Sequence, residues 1–173
     1  MQIPILYEDA DLVVVDKPAG LPTHATDPRD PYPNDVQRIV QAQTGRAYLG
    51  MHQRLDAETS GVLLFAGRRA ANAALARAFE GRAVEKTYLA LVHGRPARPE
   101  GVIAAPIVRD HGETYRVAAA ADPRGHPART RYRVLETLDG GALSRLELIP
   151  ETGRPHQIRV HLATIGCPVV GDP

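Results

Sequence analysis

The sequence predicts an α+β fold built on a largely antiparallel sheet. Most of its apolar runs have the length of a β-strand and are separated by short polar turns, which favours hairpins. Only three segments show the apolar spacing of a helix. The chain has 173 residues, of which 43% are hydrophobic, enough to bury the core of one domain without disulfide bonds.

Composition excludes several classes of protein. A single cysteine, Cys167, excludes a disulfide framework and a multi-thiolate metal site. No apolar run approaches the roughly 20 residues of a membrane span, and the acidic N-terminal segment does not resemble a signal peptide. We therefore expect a cytoplasmic protein that does not bind membranes.

The charged residues nearly cancel, but the cations are unusual. There are 21 basic and 20 acidic residues, so binding through bulk charge is not expected, whereas a local basic cleft is still possible. Lys17 and Lys86 are the only lysines, so the other 19 basic residues are arginines. A coding bias explains this excess most simply; recognition of phosphate and bases by guanidinium groups is the alternative.

The predicted elements alternate along the chain. Residues 3–7 and 12–16 form a hairpin, and the proline-rich residues 21–34 form a long loop. Asn34 is expected to cap a helix that presents Val36, Ile39 and Val40 on one face and ends at Gly45. Further strands are predicted over residues 62–66, 84–93, 102–108, 129–136 and 143–149, a second helix over 68–80, and a polar loop over 110–128. A third helix begins at Pro155, buries a stripe formed by Ile158, Leu162 and Ile165, and ends near Gly166.

Two segments carry candidate catalytic residues on strands or at strand entrances. Arg54 and Asp56 lie directly before the strand at 62–66 and, in an extended segment, project to the same side. Asp56 is either a nucleophile or base, or a turn residue of the kind that is common before strands. Lys86 and Tyr88 are expected to share one face of a strand, where Tyr88 either contacts a base or is a structural aromatic residue.

The third helix supplies the remaining candidates. His156 and Arg159 are three residues apart and therefore adjacent on a helix. His156 and His161 are poorly spaced for two metal ligands, so no metal site is expected. The motifs of nucleotide cofactors, zinc hydrolases and serine nucleophiles do not occur in the sequence. An aspartate, a tyrosine and several arginines suit cofactor-free chemistry at a glycosidic or acyl centre.

Four segments together resemble the RluA family of pseudouridine synthases. Residues 5–21 resemble that family's first strand pair and its NKPxGL turn, and residues 53–61 (QRLDAETSG) resemble its HRLDxxTSG catalytic loop. Residues 86–94 resemble its KxYxAxVxG strand, and residues 153–172 its GRTHQIRxHL…GxPIxGD segment. The matches follow the family's order and span nearly the whole chain.

The resemblance implies that the protein converts uridine in ribosomal or transfer RNA to pseudouridine, with no cofactor or metal. It assigns Asp56 as the essential carboxylate, Tyr88 as the residue that packs on the target base and acts as general base, and Arg159 as the partner of Asp56. Arg54 is expected to enter the RNA stack where the target nucleotide leaves it. Lys86, Arg154 and His156 are expected to bind RNA. We expect a monomer with no obligatory protein partner.

Two departures from the family pattern qualify this assignment. The histidine before Arg-Leu-Asp is Gln53 here, and the family's further C-terminal strands do not follow Pro173. We therefore expect residues 1–173 to be a single catalytic domain that lacks those strands and has no N-terminal RNA-binding domain. The alternatives are a catalytically inactive RNA-binding relative and a carboxylate-dependent hydrolase that uses Asp56 and Glu58.

Overall fold

The structure, a computed structural model, describes residues 1–24, 35–112 and 114–172. The chain divides into two compact units, Met1–Val84 and Glu85–Pro173. Every strand pair in the described ranges is antiparallel, and helices are few, so the predicted α+β class is confirmed. The expectation of one catalytic domain is not tested by this division and stays a prediction.

The first unit is a four-stranded sheet with two helices. Its strands are β1 (Ile5–Glu8), β2 (Leu12–Lys17), β3 (Gly50–Met51) and β4 (Gly61–Ala66), in the order β1-β2-β4-β3. The predicted hairpin is confirmed as β1 and β2. Val13 and Val15 of β2 lie opposite Phe65 and Leu63 of β4, and all four side chains are fully buried. These four side chains form the centre of the unit's core, which also contains Ile3, Val36 and Val40.

The first helix differs from its prediction only at its cap. Helix α1 (Val36–Thr44) begins after Asp35, whose carboxylate accepts a hydrogen bond of 2.9 Å from the Arg38 N–H. Asp35 rather than Asn34 is therefore the N-cap; Asn34 and most of the predicted loop at 21–34 lie outside the described residues. Gly45 adopts a left-handed conformation (φ 68°) and ends the helix as predicted.

The second predicted helix is shorter than its apolar repeat. A 3₁₀ turn (Arg69–Ala71) precedes helix α2 (Asn72–Glu80), and Gly81 ends it. Ala71 is buried, whereas no residue of α2 itself is fully buried. The repeat of Ala71, Leu75 and Phe79 thus marks a helix that lies on the surface of the unit.

The second unit packs a helix on a larger sheet. Its strands are β5 (Tyr88–His93), β6 (Glu100–Ala104), β7 (Ile107–Arg109), β8 (Tyr115–Val117), β9 (Arg129–Leu138) and β10 (Leu143–Pro150), followed by helix α3 (Gln157–Thr164). Four strands form a sheet in the order β5-β10-β9-β6, and β7 pairs with β8. The buried core comprises Val92, Ile103, Leu146, Leu148, Leu162 and Cys167. Ile158 and Ile165 pack against it, so the predicted stripe of α3 is confirmed.

Three boundaries in this unit correct the sequence prediction. The predicted strand at 102–108 is two strands, because Pro106 has no N–H to continue the ladder. The predicted loop at 110–128 contains β8, which pairs with β7. The strand predicted from residue 84 begins only at Tyr88, so the predicted start is wrong and Lys86 lies before the strand rather than in it.

The start of α3 also differs from its prediction. The helix begins at Gln157, two residues after Pro155. Between them His156 adopts the left-handed conformation, with φ 51°. That conformation is unfavourable for a residue with a β-carbon, by about 1 kcal/mol or more, and such strain often marks functional positions. A turn at 152–156, rather than helix, therefore carries Arg154 and His156.

A buried polar network anchors this turn to the sheet. His161 is fully buried, and in its neutral form Nε2–H donates to the Ala105 carbonyl (3.0 Å) while Nδ1 accepts from the Thr130 hydroxyl (2.9 Å). The Thr130 oxygen accepts from the Gln157 amide (2.9 Å). The Gln157 carbonyl oxygen accepts from the Thr152 hydroxyl (2.7 Å) and from the Arg154 N–H (3.0 Å). Burial of the ring favours this neutral form of His161.

Acid should therefore weaken the second unit through His161. Burial lowers the pKa of its imidazole below 6.5, and the hydrogen bond to Ala105 offsets this only in part. Below about pH 6.5 the unfolded chain binds a proton that the folded chain does not, so the free energy of unfolding should fall by up to about 1.4 kcal/mol per pH unit. Denaturant titrations at several pH values should show a shallower pH dependence for His161→Gln than for the original protein. Equal slopes would contradict this assignment.

Candidate active site

Asp56 lies in a loop whose backbone is fixed by a buried threonine. Thr23 is almost fully buried, and its hydroxyl donates to the Leu55 carbonyl (2.7 Å) and accepts from the Leu55 N–H (3.1 Å). A single side chain thus satisfies both polar groups of the residue before Asp56. Because unsatisfied buried backbone groups are costly, this arrangement strongly favours one conformation of the loop.

A buried lysine fixes the residue after Asp56. Lys17, at the end of β2, has no exposed surface, and its ammonium donates to the carbonyls of Ala57 (2.8 Å) and Pro18 (2.9 Å). The Gly20 N–H donates to the same Ala57 carbonyl (2.9 Å). The peptide groups on both sides of Asp56 are therefore held in place, while its side chain is half-buried.

The ammonium of Lys17 also interacts electrostatically with the carboxylates of the loop. Burial lowers the pKa of its ammonium, and the carboxylates of Glu58 and Asp56 work in the opposite direction and favour the charged form. Sequence reasoning quoted Lys17 only as part of a turn motif and missed this role. The available signal was a lysine at the end of an apolar strand, since lysine is rarely buried without partners.

At the start of the loop, Gln53 occupies the position of the histidine in the family motif. The Gln53 amide donates to the Val62 carbonyl at 3.3 Å, which links the loop to the strand that follows it. His52 bonds through Nε2 to the Asn72 side chain (3.0 Å) and stacks near Phe79. Arg54 is exposed. Gln53 therefore links the loop to β4 by a hydrogen bond.

In the second unit, Tyr88 and Lys86 lie around the start of β5. Tyr88 is the first residue of the strand, pairs with Leu148 of β10 and packs against the core. Lys86 is half-buried, and burial lowers the pKa of its ammonium. Its Nζ lies 3.8 Å from the position that a β-carbon on Gly153 would take. Lys86 is therefore close to the turn that carries Arg154.

Arg159 is held by two side chains of its own unit. Its Nη1 donates to Nδ1 of His156 (2.8 Å), and its Nη2 lies 2.6 Å from a carboxylate oxygen of Asp172. The adjacency of His156 and Arg159 predicted from their spacing is confirmed. The segment that carries Asp172 is fixed to β5 by backbone bonds from His93 to Pro168 and from Val170 to Leu91, both 2.9 Å long. Sequence reasoning quoted Asp172 in a motif but assigned it no role.

Neither a candidate metal site nor a membrane-spanning helix occurs in the described ranges. No group of three or more His, Cys, Asp or Glu side chains in these ranges could hold a metal ion. Within the same ranges no helix is long and apolar enough to cross a bilayer.

Comparison with known proteins identifies the family. A family model described as RNA pseudouridylate synthase matches residues 11–164, most of the chain. The chain belongs to this family. The resemblance to RluA-type enzymes that the sequence motifs indicate is thereby confirmed. The roles assigned to Asp56, Tyr88, Arg159 and the RNA-binding residues are not tested by this match and stay predictions.

Individual members of the RNA pseudouridylate synthase family match the chain nearly end to end. The ribosomal large subunit pseudouridine synthase D of Nitrosomonas europaea is 42% identical over 98% of this chain and 48% of its own length. The synthase C of Rickettsia bellii is 36% identical over 97% of this chain and 55% of its own length. The chain therefore spans about half the length of the curated relatives it matches.

A solved structure shows the same fold. Human RNA pseudouridylate synthase domain containing 1 superimposes with a TM-score of 0.81 at 32% identity, over 99% of this chain and 68% of the human chain. Human RNA pseudouridylate synthase domain containing 4 superimposes with a TM-score of 0.78, also at 32% identity. The pseudouridine synthase fold predicted from the motifs is confirmed.

Replacement of Lys17 should destabilise the first unit. Lys17→Met keeps most of the side-chain volume but leaves the Pro18 carbonyl without this donor and removes the positive charge near Asp56 and Glu58. We expect a loss of about 1–3 kcal/mol in the free energy of unfolding, measured by chemical denaturation. Lys86→Met is the matched control, since that ammonium is half-exposed; an equal loss in both variants would contradict the role of Lys17.

Proposed function

We propose that this chain isomerises uridine in RNA to pseudouridine, with Asp56 as the essential carboxylate. The observation that supports the proposal is the loop at residues 53–61, which resembles the family's catalytic loop and whose backbone is held on both sides of Asp56 by Thr23 and Lys17. A catalytic group must be held close to its productive geometry, and this loop has the buried hydrogen bonds to do so.

The reaction moves one bond and one proton. The N1–C1′ glycosidic bond breaks, uracil turns, a C5–C1′ bond forms, and the C5 proton is lost while N1 gains one, so the atoms balance without an added reactant. Cleavage of a glycosidic bond builds positive charge on the sugar, which a neighbouring carboxylate stabilises. We propose this role for Asp56.

Two residues of the second unit are proposed to assist it. Tyr88 begins β5, and its ring is held by the core; we propose that it packs on the uracil and accepts the C5 proton. Arg159 is oriented by His156 and Asp172, and we propose that it keeps Asp56 ionised. A carboxylate that faces an apolar base is otherwise driven towards its neutral form.

The target uridine must leave its stack before it can turn. Extrusion costs a few kcal/mol, and a planar guanidinium that enters the gap can offset part of this cost. We propose this role for the exposed Arg54, and contacts with the RNA backbone for Lys86, Arg154 and His156. The location of Lys86 near Gly153 supports a common patch with Arg154.

We propose large-subunit ribosomal RNA as the substrate to test first, with transfer RNA as the second candidate. Relatives from Rickettsia bellii and Nitrosomonas europaea carry names that specify the ribosomal large subunit. The predictions of a monomer, of no obligatory protein partner and of a cytoplasmic location belong to this proposal as well.

Asp56→Ala should abolish pseudouridine formation and leave RNA binding intact. The change removes the carboxylate but none of the backbone bonds that hold the loop. Pseudouridine in a large-subunit ribosomal RNA transcript is mapped after incubation with each variant, and the dissociation constant is measured in parallel. Glu58→Ala is the matched control, because Glu58 is an exposed carboxylate of the same loop; it should retain activity.

The same experiment separates the alternatives. Activity in Asp56→Ala would overturn the proposed mechanism. RNA binding without pseudouridine formation by the original chain would favour the inactive RNA-binding relative. Loss of activity in Glu58→Ala as well as in Asp56→Ala would favour a pair of carboxylates, as the hydrolase alternative requires.

Arg54→Ala should impair structured RNA more than flexible RNA. If the guanidinium stabilises the gap left by the target uridine, its loss should reduce the rate on a stem-loop by about tenfold or more, and the rate on an unstructured strand much less. Single-turnover rates on the two RNAs give the ratio. Equal reductions on both would contradict a role in extrusion.

A further inference from the structure

The second unit contains a cleft that none of the three proposed catalytic residues lines. It has a volume of about 570 Å³ and lies between the hairpin of β7 and β8 and the turn at 153–155. Its floor is apolar, since Ile107 and Val108 are nearly fully buried. Its walls carry Arg109, Tyr115 and Arg154, so apolar, aromatic and cationic groups meet in one place.

The groups in the walls are held by backbone contacts. Arg109 and Tyr115 lie directly opposite each other across β7 and β8, which places both side chains on one side of the hairpin. The Tyr115 ring lies 5.5 Å from the ring of His156, at an interplanar angle of 56°. Arg154 donates through Nε to the Pro127 carbonyl at 3.1 Å. The hairpin and the turn are thus in contact through Tyr115 and His156.

The arginines that line this cleft differ in whether their side chains bond to a carboxylate or to a carbonyl. Arg124 donates to both carboxylate oxygens of Asp122, at 2.9 and 2.8 Å, and lowers the pKa of that carboxyl to about 2, so its charge is compensated. Arg109 and Arg154 instead donate to the carbonyls of Gly112 and Pro127. Within the described residues neither has a carboxylate at ion-pair distance. Two guanidinium groups without a carboxylate partner among the described residues therefore line the cleft.

We propose that this cleft binds a nucleotide that flanks the target uridine, with its phosphate between Arg109 and Arg154 and its base against Tyr115. The inference rests on the proposed function, since it assumes an RNA substrate. Guanidinium groups form charge-assisted bonds to phosphate, and an aromatic ring accepts any base by stacking. Arg109 and Tyr115 lie outside the family motifs quoted above, so they would adjust RNA recognition rather than catalysis.

Arg109→Gln tests the phosphate contact. Equilibrium binding of the variant to a large-subunit ribosomal RNA transcript, measured over a range of salt concentrations, gives the dissociation constant and its salt dependence, and single-turnover rates on the same RNA give the maximal rate. We expect the dissociation constant to rise roughly tenfold and the slope of its logarithm against the logarithm of salt to fall by about 1. The maximal rate should not change. Arg98→Gln is the charge-matched control, because Arg98 is exposed and does not line the cleft.

Two further variants test the geometry. Tyr115→Leu should weaken binding without changing the salt slope, because it removes a ring and no charge. Arg109→Gln and Arg154→Gln should be non-additive when combined, since both residues contact one phosphate, whereas Arg98→Gln and Arg154→Gln should be additive. Melting temperatures of all variants identify any that fail to fold; Tyr115→Leu then serves in place of an unfolded Arg109 variant.

The outcomes separate this proposal from the proposed function. If the original chain forms pseudouridine and Arg109→Gln binds RNA as well as Arg98→Gln does, the cleft proposal is wrong and the function stands. If the original chain forms no pseudouridine but RNA binding weakens in Arg109→Gln with the expected salt slope, the cleft proposal stands and the function is wrong. A fall in maximal rate at unchanged affinity would also overturn the cleft proposal.

Discussion

A buried ammonium is the constraint on which the loop that carries Asp56 depends. Lys17 is completely buried, yet within the part of the chain that the structure describes it contacts no carboxylate directly; it donates to two backbone carbonyls, one of them in the loop. Burial of such a charge is costly unless it is fully hydrogen-bonded. A loop conformation that moved the Ala57 carbonyl away would leave the ammonium without a partner. The cost of burying Lys17 thus becomes a restraint on the position of Asp56.

In the second unit, neutral buried groups fix the turn at 152–156 in a comparable way. The Gln157 amide connects Thr130, Thr152 and the Arg154 backbone, and His161 closes the network in one tautomer. Each donor in this network has a defined acceptor, so a change in the turn would leave several buried groups unsatisfied at once. The left-handed backbone of His156 is sustained by this network, because its strain is small compared with the loss of several buried hydrogen bonds.

The sequence predicted the elements better than their ends. The β1–β2 hairpin, the left-handed Gly45 and the apolar stripe of α3 follow from local patterns, and the structure confirms them. The ends were missed where one residue decides them: Pro106 divides a strand, and Asp35 caps α1. Contacts distant in sequence had no local signal. Thr23 meets Leu55, and Arg159 meets Asp172, only because the fold brings them together.

The arginines of this chain bond to two kinds of partner, carboxylates and backbone carbonyls. Many bond to carboxylates on the surface, as Arg46 does to Glu8 and Arg133 does to Glu147. Such exposed pairs contribute little stability, but they cancel charge, which suits a chain with a net charge of only +1. Arg109 and Arg154 bond to carbonyls instead, and neither has a carboxylate at ion-pair distance within residues 1–24, 35–112 and 114–172. Net charge is therefore a poor guide to whether such a chain can bind a polyanion, because a phosphate responds to the cations nearest to it and not to the average over the chain.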